Sequence, residues 1–123
     1  KYTEEKGKWA DSFRAARLRI DEIELPKKLI TGKRVDIFVK LSQLDYPNNR
    51  VRKTRSGGVE LIFVNGNEEF RFYSVNEGDG RFVINIDEET AKSFHGTYTA
   101  IYTASLDGKY SSTKIDQISF TEE

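Results

Sequence analysis

The densest group of chemically able side chains is basic. Arg50, Arg52, Lys53 and Arg55 crowd into positions 50–55 and are followed by Gly57-Gly58. Such a segment suits contact with a phosphate, a sulfated glycan or an acidic protein surface. No aromatic residue is interleaved with the four cations, which argues against stacking of single-stranded nucleic acid. The acidic counterpart is Glu77, Asp79, Asp87, Glu88 and Glu89. Calcium takes 6–8 oxygens, and the spacing of these five matches no calcium-loop pattern. Turn chemistry and solvated charge are therefore expected of them, and no metal or other cofactor. Ser93, His95 and Asp87 have the residue types of a hydrolytic triad. No nucleophile elbow or oxyanion-hole signal accompanies them, so His95 is expected to be a loop residue and no enzyme is expected.

Composition narrows the remaining chemistry. The chain has 123 residues, no cysteine and one histidine. Disulfides, thiol nucleophiles, thiolate metal sites and multi-histidine sites are excluded together. The 20 basic and 20 acidic residues cancel, so no global field favours nucleic acid or an anionic membrane. The signs are nevertheless segregated: residues 1–58 carry 15 basic and 8 acidic side chains, and residues 59–123 carry 5 and 12. No apolar run is long enough to cross a bilayer as a helix. The start at Lys1 and the absence of methionine lead us to expect a piece of a larger multidomain chain. Neither a signal-peptide core nor an Asn-x-Ser/Thr sequon is present. That composition is compatible with the cytoplasm and with a bacterial or phage surface.

The elements that must position these groups are strands. Residues 1–17 are irregular, with Trp9 and Phe13 forming one short helical stripe. They read as an N-terminal extension or linker that packs its two aromatics on the domain at 18–123. From Leu18 the apolar period becomes two. Leu18 and Ile20 share one phase and Ile23 and Leu25 the other, so a bulge or a switch between sheets is expected at Asp21-Glu22. Pro26 ends the run. Val35, Ile37, Val39 and Leu41 alternate cleanly. Residues 42–58 read as a long polar connection with turn formers at Pro47-Asn48-Asn49 and Gly57-Gly58 and Val51 in a short strand. Val59 to Val64 is the most apolar stretch and is expected to lie centrally. Turns are expected at Asn65-Gly66, Gly78-Asp79-Gly80 and Asp107-Gly108. Residues 87–95 are expected to form a loop or one helical turn. Phe38, Tyr73, Tyr102 and Tyr110 are expected to point away from the main core. Seven or eight short strands with turn signals between them predict an all-β sandwich.

Four segments resemble an immunoglobulin domain of the intermediate set. Gly32-x-x-Val35-x-Ile37-x-Val39 is similar to that family's second strand, with Val39 at the first core cysteine. Ile62-Phe63-Val64-Asn65-Gly66 is similar to the tryptophan-bearing segment, with Ile62 at the tryptophan, so the resemblance implies that Val39, Ile62 and Ala100 fill that core volume. Gly80-x-x-x-Ile84-x-Ile86 resembles the fifth strand. Gly96-Thr97-Tyr98-Thr99-Ala100 resembles Gly-x-Tyr-x-Cys, with Ala100 at the second cysteine. The resemblance implies a two-sheet Greek-key immunoglobulin-like β-sandwich. It also implies that the Tyr98 hydroxyl bonds back to upstream backbone as a tyrosine corner. A second resemblance, to synaptotagmin-like lipid-binding domains, runs through Leu25-Pro26-Lys27-Lys28, Asp36 to Lys40, and the acidic segments. Leu29 and Ser93 stand near positions where calcium-binding aspartates belong, so that alternative implies calcium-independent lipid or ligand binding. The expected function is a non-enzymatic structural, interaction or adhesion module. Its partner would be a protein contacted through Arg50, Arg52, Lys53 and Arg55. No nucleic acid is expected, and membrane contact only under the alternative.

Overall fold

The computed structural model describes residues 18–45, 50–108 and 110–123. The stripe expected at Trp9 and Phe13 and the turn expected at Pro47-Asn48-Asn49 lie outside the described residues. Ten strands are described: β1 (Leu18–Glu24), β2 (Leu29–Ile30), β3 (Val35–Asp45), β4 (Arg50–Lys53), β5 (Gly58–Asn65), β6 (Glu68–Tyr73), β7 (Val75–Gly78), β8 (Arg81–Ile86), β9 (Gly96–Leu106) and β10 (Tyr110–Thr121). One helical turn, α1 (Glu88–Ala91), follows β8. The first sheet runs β1-β3-β8-β7, with β4 also paired to β3. The second runs β2-β10-β9-β5-β6. Only the short β2–β10 pair is parallel; the other pairs are antiparallel.

Alternation explains the layers. Val35, Ile37, Val39 and Leu41 of β3 are buried, and so are Phe82, Ile84 and Ile86 of β8. They meet Val59, Leu61 and Phe63 of β5 and Tyr98, Ala100, Tyr102 and Ala104 of β9 in one continuous core. Side chains at every second position fill the space between the sheets, as the pleat requires. The bulge expected in β1 is present, since its register against β3 shifts between Ile20 and Glu22. The phase change lets Ile20 and Ile23, on opposite sides of the slip, both pack against the core.

The apolar run Val59 to Val64 lies centrally as expected, with β5 between β9 and β6. Two other expectations are corrected by register. β5 alternates, with Val59, Leu61 and Phe63 buried and Ile62 and Val64 only half-buried. Ile62 therefore does not join Val39 and Ala100 in the core. Phe63, which pairs with Ala100, fills that volume. Tyr102 is fully buried, not displaced to a second face. It belongs to the same phase of β9 as Tyr98 and Ala100. Phe38 does face outward, half-buried beneath the Arg81 guanidinium at 4.3 Å, and Tyr73 is exposed. The side chain of Tyr110 lies outside the described ones.

The chain crosses from the first sheet to the second between β8 and β9, and this crossing is tightly braced. Asp87 caps α1 by accepting a hydrogen bond from the Thr90 N–H at 2.8 Å. That bond holds the Asp87 carboxyl below its ordinary pKa. Phe94 is fully buried and meets Phe70, Phe120, Phe63, Tyr98 and Phe72 at centroid distances of 4.8 to 5.9 Å. Most of these contacts are edge-to-face, the geometry that ring quadrupoles favour. The Phe94 carbonyl accepts from the Thr31 hydroxyl at 2.6 Å, and the Ala91 carbonyl accepts from the Gly32 N–H at 3.0 Å. The His95 N–H donates back to the Tyr98 hydroxyl at 3.1 Å, the backward bond expected of that tyrosine.

Two substitutions test this core with opposite signs. Phe94→Ala removes the ring at the centre of the cluster and is expected to cost about 3–5 kcal/mol in denaturant unfolding. Tyr102 is the contrary case. Among the described residues no group bonds its buried hydroxyl, and burial pushes its pKa up. Tyr102→Phe removes the unpaired oxygen without changing the ring, and a gain of about 1 kcal/mol is expected in the same measurement.

Candidate functional site

The basic residues expected in a loop sit largely on a strand. Arg50, Arg52 and Lys53 belong to β4, and Arg55 follows it. β3 makes this possible by outrunning its neighbours. It pairs with β8 only from Val35 to Lys40, and Ser42 to Asp45 are then free to form a ladder with β4. Every residue of β4 is exposed. Arg52 opposes Gln43 and Arg50 opposes Asp45, so these two cations share one face. Val51, which is 58% exposed, and Lys53 take the other face, opposite Leu44 and Ser42. The structure thus presents three cations along one exposed strand, with both faces populated, and Arg55 just beyond its end.

The hand-over from β8 to β4 occurs at Leu41. Its N–H donates to the Gly80 carbonyl at 2.8 Å, and its carbonyl accepts from the Thr54 N–H at 3.2 Å. Gly80 is packed into this junction with φ of 75°. A Cβ there would lie 2.6 Å from the Leu41 oxygen, 3.0 Å from the Lys53 Cβ and 3.2 Å from the Thr54 nitrogen. Thr54 is fully buried, which anchors the end of β4. Further along, the Asn76 side chain of β7 donates to the Arg55 carbonyl at 2.9 Å. The C-terminal end of the basic segment is thereby held to the first sheet by the Leu41 carbonyl and the Asn76 side chain.

The other sequence candidates are dispersed. Glu77 and Asp79 precede β8, whereas Asp87, Glu88 and Glu89 follow it, so the two acidic segments occupy opposite ends of that strand. Three of the five carboxylates have structural partners: Glu77 pairs with Arg81 at 3.4 Å, Glu89 with Lys92 at 2.9 Å, and Asp87 caps α1. Among the described residues, no group of three or more His, Cys, Asp or Glu is placed to hold a metal ion. His95 is exposed, with Nδ1 3.0 Å from Glu122 Oε1. With Asp87 bonded to Thr90 and His95 to Glu122, neither is shown in contact with Ser93. Lys27 and Lys28 are exposed beside an open groove formed with Leu25, Pro26, Leu29 and Ile118. They follow β1, whose end pairs with Phe38, whereas β4 pairs with Ser42 to Asp45. The two basic groups therefore lie at opposite ends of β3.

One feature escaped the sequence reading. Ile62, Ile101 and Ile115 stand directly opposite one another on β5, β9 and β10, on the outer face of the second sheet. Arg71, paired with Glu60 at 3.3 Å and Glu69 at 2.9 Å, closes this row on β6. Each isoleucine sits in a different strand, so only the register reveals the row. Comparison with models of protein families, with curated proteins and with solved structures yields no significant match to this chain.

Gly80→Ala tests the positioning of the basic strand. The added Cβ collides with backbone at a positive φ, and the expected loss is ~2 kcal/mol or more. Gly66→Ala is the control: its φ is also positive, at 58°, but no atom lies within 4 Å of the added carbon. It should cost clearly less than Gly80→Ala in the same unfolding experiment, and hydrogen exchange should show β4 loosened only in the Gly80 variant.

Proposed function

We propose that this domain is a non-enzymatic interaction module that presents Arg50, Arg52, Lys53 and Arg55 to an acidic surface of a partner protein. The observation that carries the reading is the exposure of these four cations on and beside an edge strand that is clamped to the sheet. A rigid sandwich that displays a charged edge loses little conformational entropy on binding, and clustered charge of one sign speeds encounter with the opposite sign. We further propose that the topology is the immunoglobulin-like Greek key. The order β1-β3-β8-β7 parallels the A-B-E-D sheet of such domains, and β2-β10-β9-β5-β6 parallels the sheet built around G, F and C. The bond between Tyr98 and His95 supports the same reading. On this reading β4 is an insertion, and the chain is one module of a larger structural or adhesive protein.

The lipid-binding alternative has weaker support. Lys27 and Lys28 lie at the far end of β3 from β4, so the two basic groups do not combine at one end of the domain to meet a headgroup layer.

The test is affinity capture from lysate of the source organism, comparing the native chain with the quadruple variant Arg50→Ser, Arg52→Ser, Lys53→Ser and Arg55→Ser. A partner that binds the native chain, weakens with salt and is lost by the variant is the expected result. Equal capture by both forms would refute the assignment of the site. Absence of a partner for either form would favour a passive spacer. Co-sedimentation with phosphatidylserine vesicles that weakens with salt would instead select the lipid-binding reading.

A further inference from the structure

β10 is a long strand with one side left open. It pairs with β9 continuously from Tyr110 to Phe120. On its other side it pairs only with the two residues of β2, at Phe120 and Thr121. Among the described residues, no strand is hydrogen-bonded to that side from Ser111 to Ser119, although β1 runs close to β10. Open edges of this length template further strand addition unless their side chains prevent it. Residues 111–119 contain no proline, and Ile115 at their centre is 64% exposed.

The charges around Ile115 are self-complementary. Directly opposed residues in an antiparallel pair share a face, so a twofold pairing of β10 with itself must be centred on a residue rather than between two residues. Centring on Lys114 or Asp116 sets like charges against each other. Centring on Gln117 sets Asp116 against Ile118. Centring on Ile115 sets Lys114 of each copy against Asp116 of the other, and Thr113 against Gln117. The two Ile115 side chains then meet at the axis. The isoleucine row Ile62–Ile101–Ile115 continues without a break into the row of the second copy. In this register Ser111 and Ser112 of one copy oppose Ser119 and Ile118 of the other. Ile118 and Ser119 line the open groove beside Leu25, Pro26 and Leu29, and the serines are small enough to enter it.

We infer that two copies of this chain associate through β10, antiparallel and centred on Ile115, joining their second sheets into one. The contact is a short edge pairing, so the dimer is weak and concentration-dependent. It uses the opposite sheet from β4 and does not depend on the function proposed for the basic strand.

The experiment is sedimentation equilibrium of the full 123-residue chain over a wide concentration range, with three charge variants at exposed positions. Lys114→Asp alone and Asp116→Lys alone each place like charges opposite each other twice, and each should weaken dimerisation about tenfold or more. The double variant Lys114→Asp with Asp116→Lys restores both pairs with reversed polarity and should recover the native dimer. That recovery distinguishes the register from general loss of fold or charge. A native chain that stays monomeric throughout, or a double variant no better than the singles, overturns the proposal. Amide exchange separates the remaining occupants. Protection of residues 111–119 that rises with protein concentration supports the dimer. Protection independent of concentration in a monomer means that residues 1–17 of the same chain cover the edge, which also overturns it.

Discussion

Burial of Phe94 is the constraint on which the two-sheet arrangement depends. It lies on the segment that leaves β8 in one sheet and enters β9 in the other. Its ring touches aromatics from β5, β6, β9 and β10, so one side chain ties the crossing to four strands of the second sheet. Backbone bonds tie the same segment to the β2–β3 connection: Gly32 donates to Ala91, and the Thr31 hydroxyl to Phe94. Removing the ring would leave a cavity where edge-to-face contacts now converge, in an interior that tolerates voids poorly. The cap at Asp87 and the bond from His95 to Tyr98 aim the ring; they would have little effect without it.

Around this centre, exposed charges pair on the outer faces of the sheets. On the outer faces, Lys40 bridges Glu22 and Glu24, and Arg71 bridges Glu60 and Glu69, across paired strands. Such exposed pairs contribute modestly, but they set opposite charges across the ladders. The β4 cations are placed differently, on a strand that exists because β3 extends past β8. Leu41 is the branch point, bonded on one side to Gly80 and, through its carbonyl, to Thr54. A basic segment that would otherwise be a solvated loop becomes an ordered edge.

Much of this was legible in residue order. Alternation located the strands, the slip at Asp21-Glu22 located the bulge, Gly78-Asp79-Gly80 located a turn, and Tyr98 announced its bond to upstream backbone. The errors have a common origin. Ile62 was assigned to the core because a run of apolar residues does not reveal which alternate positions face inward. Tyr102 reads as outward-facing, yet its register on β9 buries it beside Tyr98 and Ala100, and among the described residues its hydroxyl has no hydrogen-bond partner. The short strand expected at Val51 is β4, but with no buried residue it has no apolar alternation to mark its ends or its partner β3.

The sequence by itself determined the strand class, the positions of the turns, the absence of thiol chemistry and the location of the basic segment. These depend on backbone preferences and side-chain types that act over a few residues. Only the tertiary structure decided the partners: that Phe63 and not Ile62 packs inward opposite Ala100, that Gly80 abuts Thr54, and that three isoleucines from three strands form one row. Each is a contact between strands far apart in the chain. Such contacts are set by register and layer packing, and no local pattern encodes them.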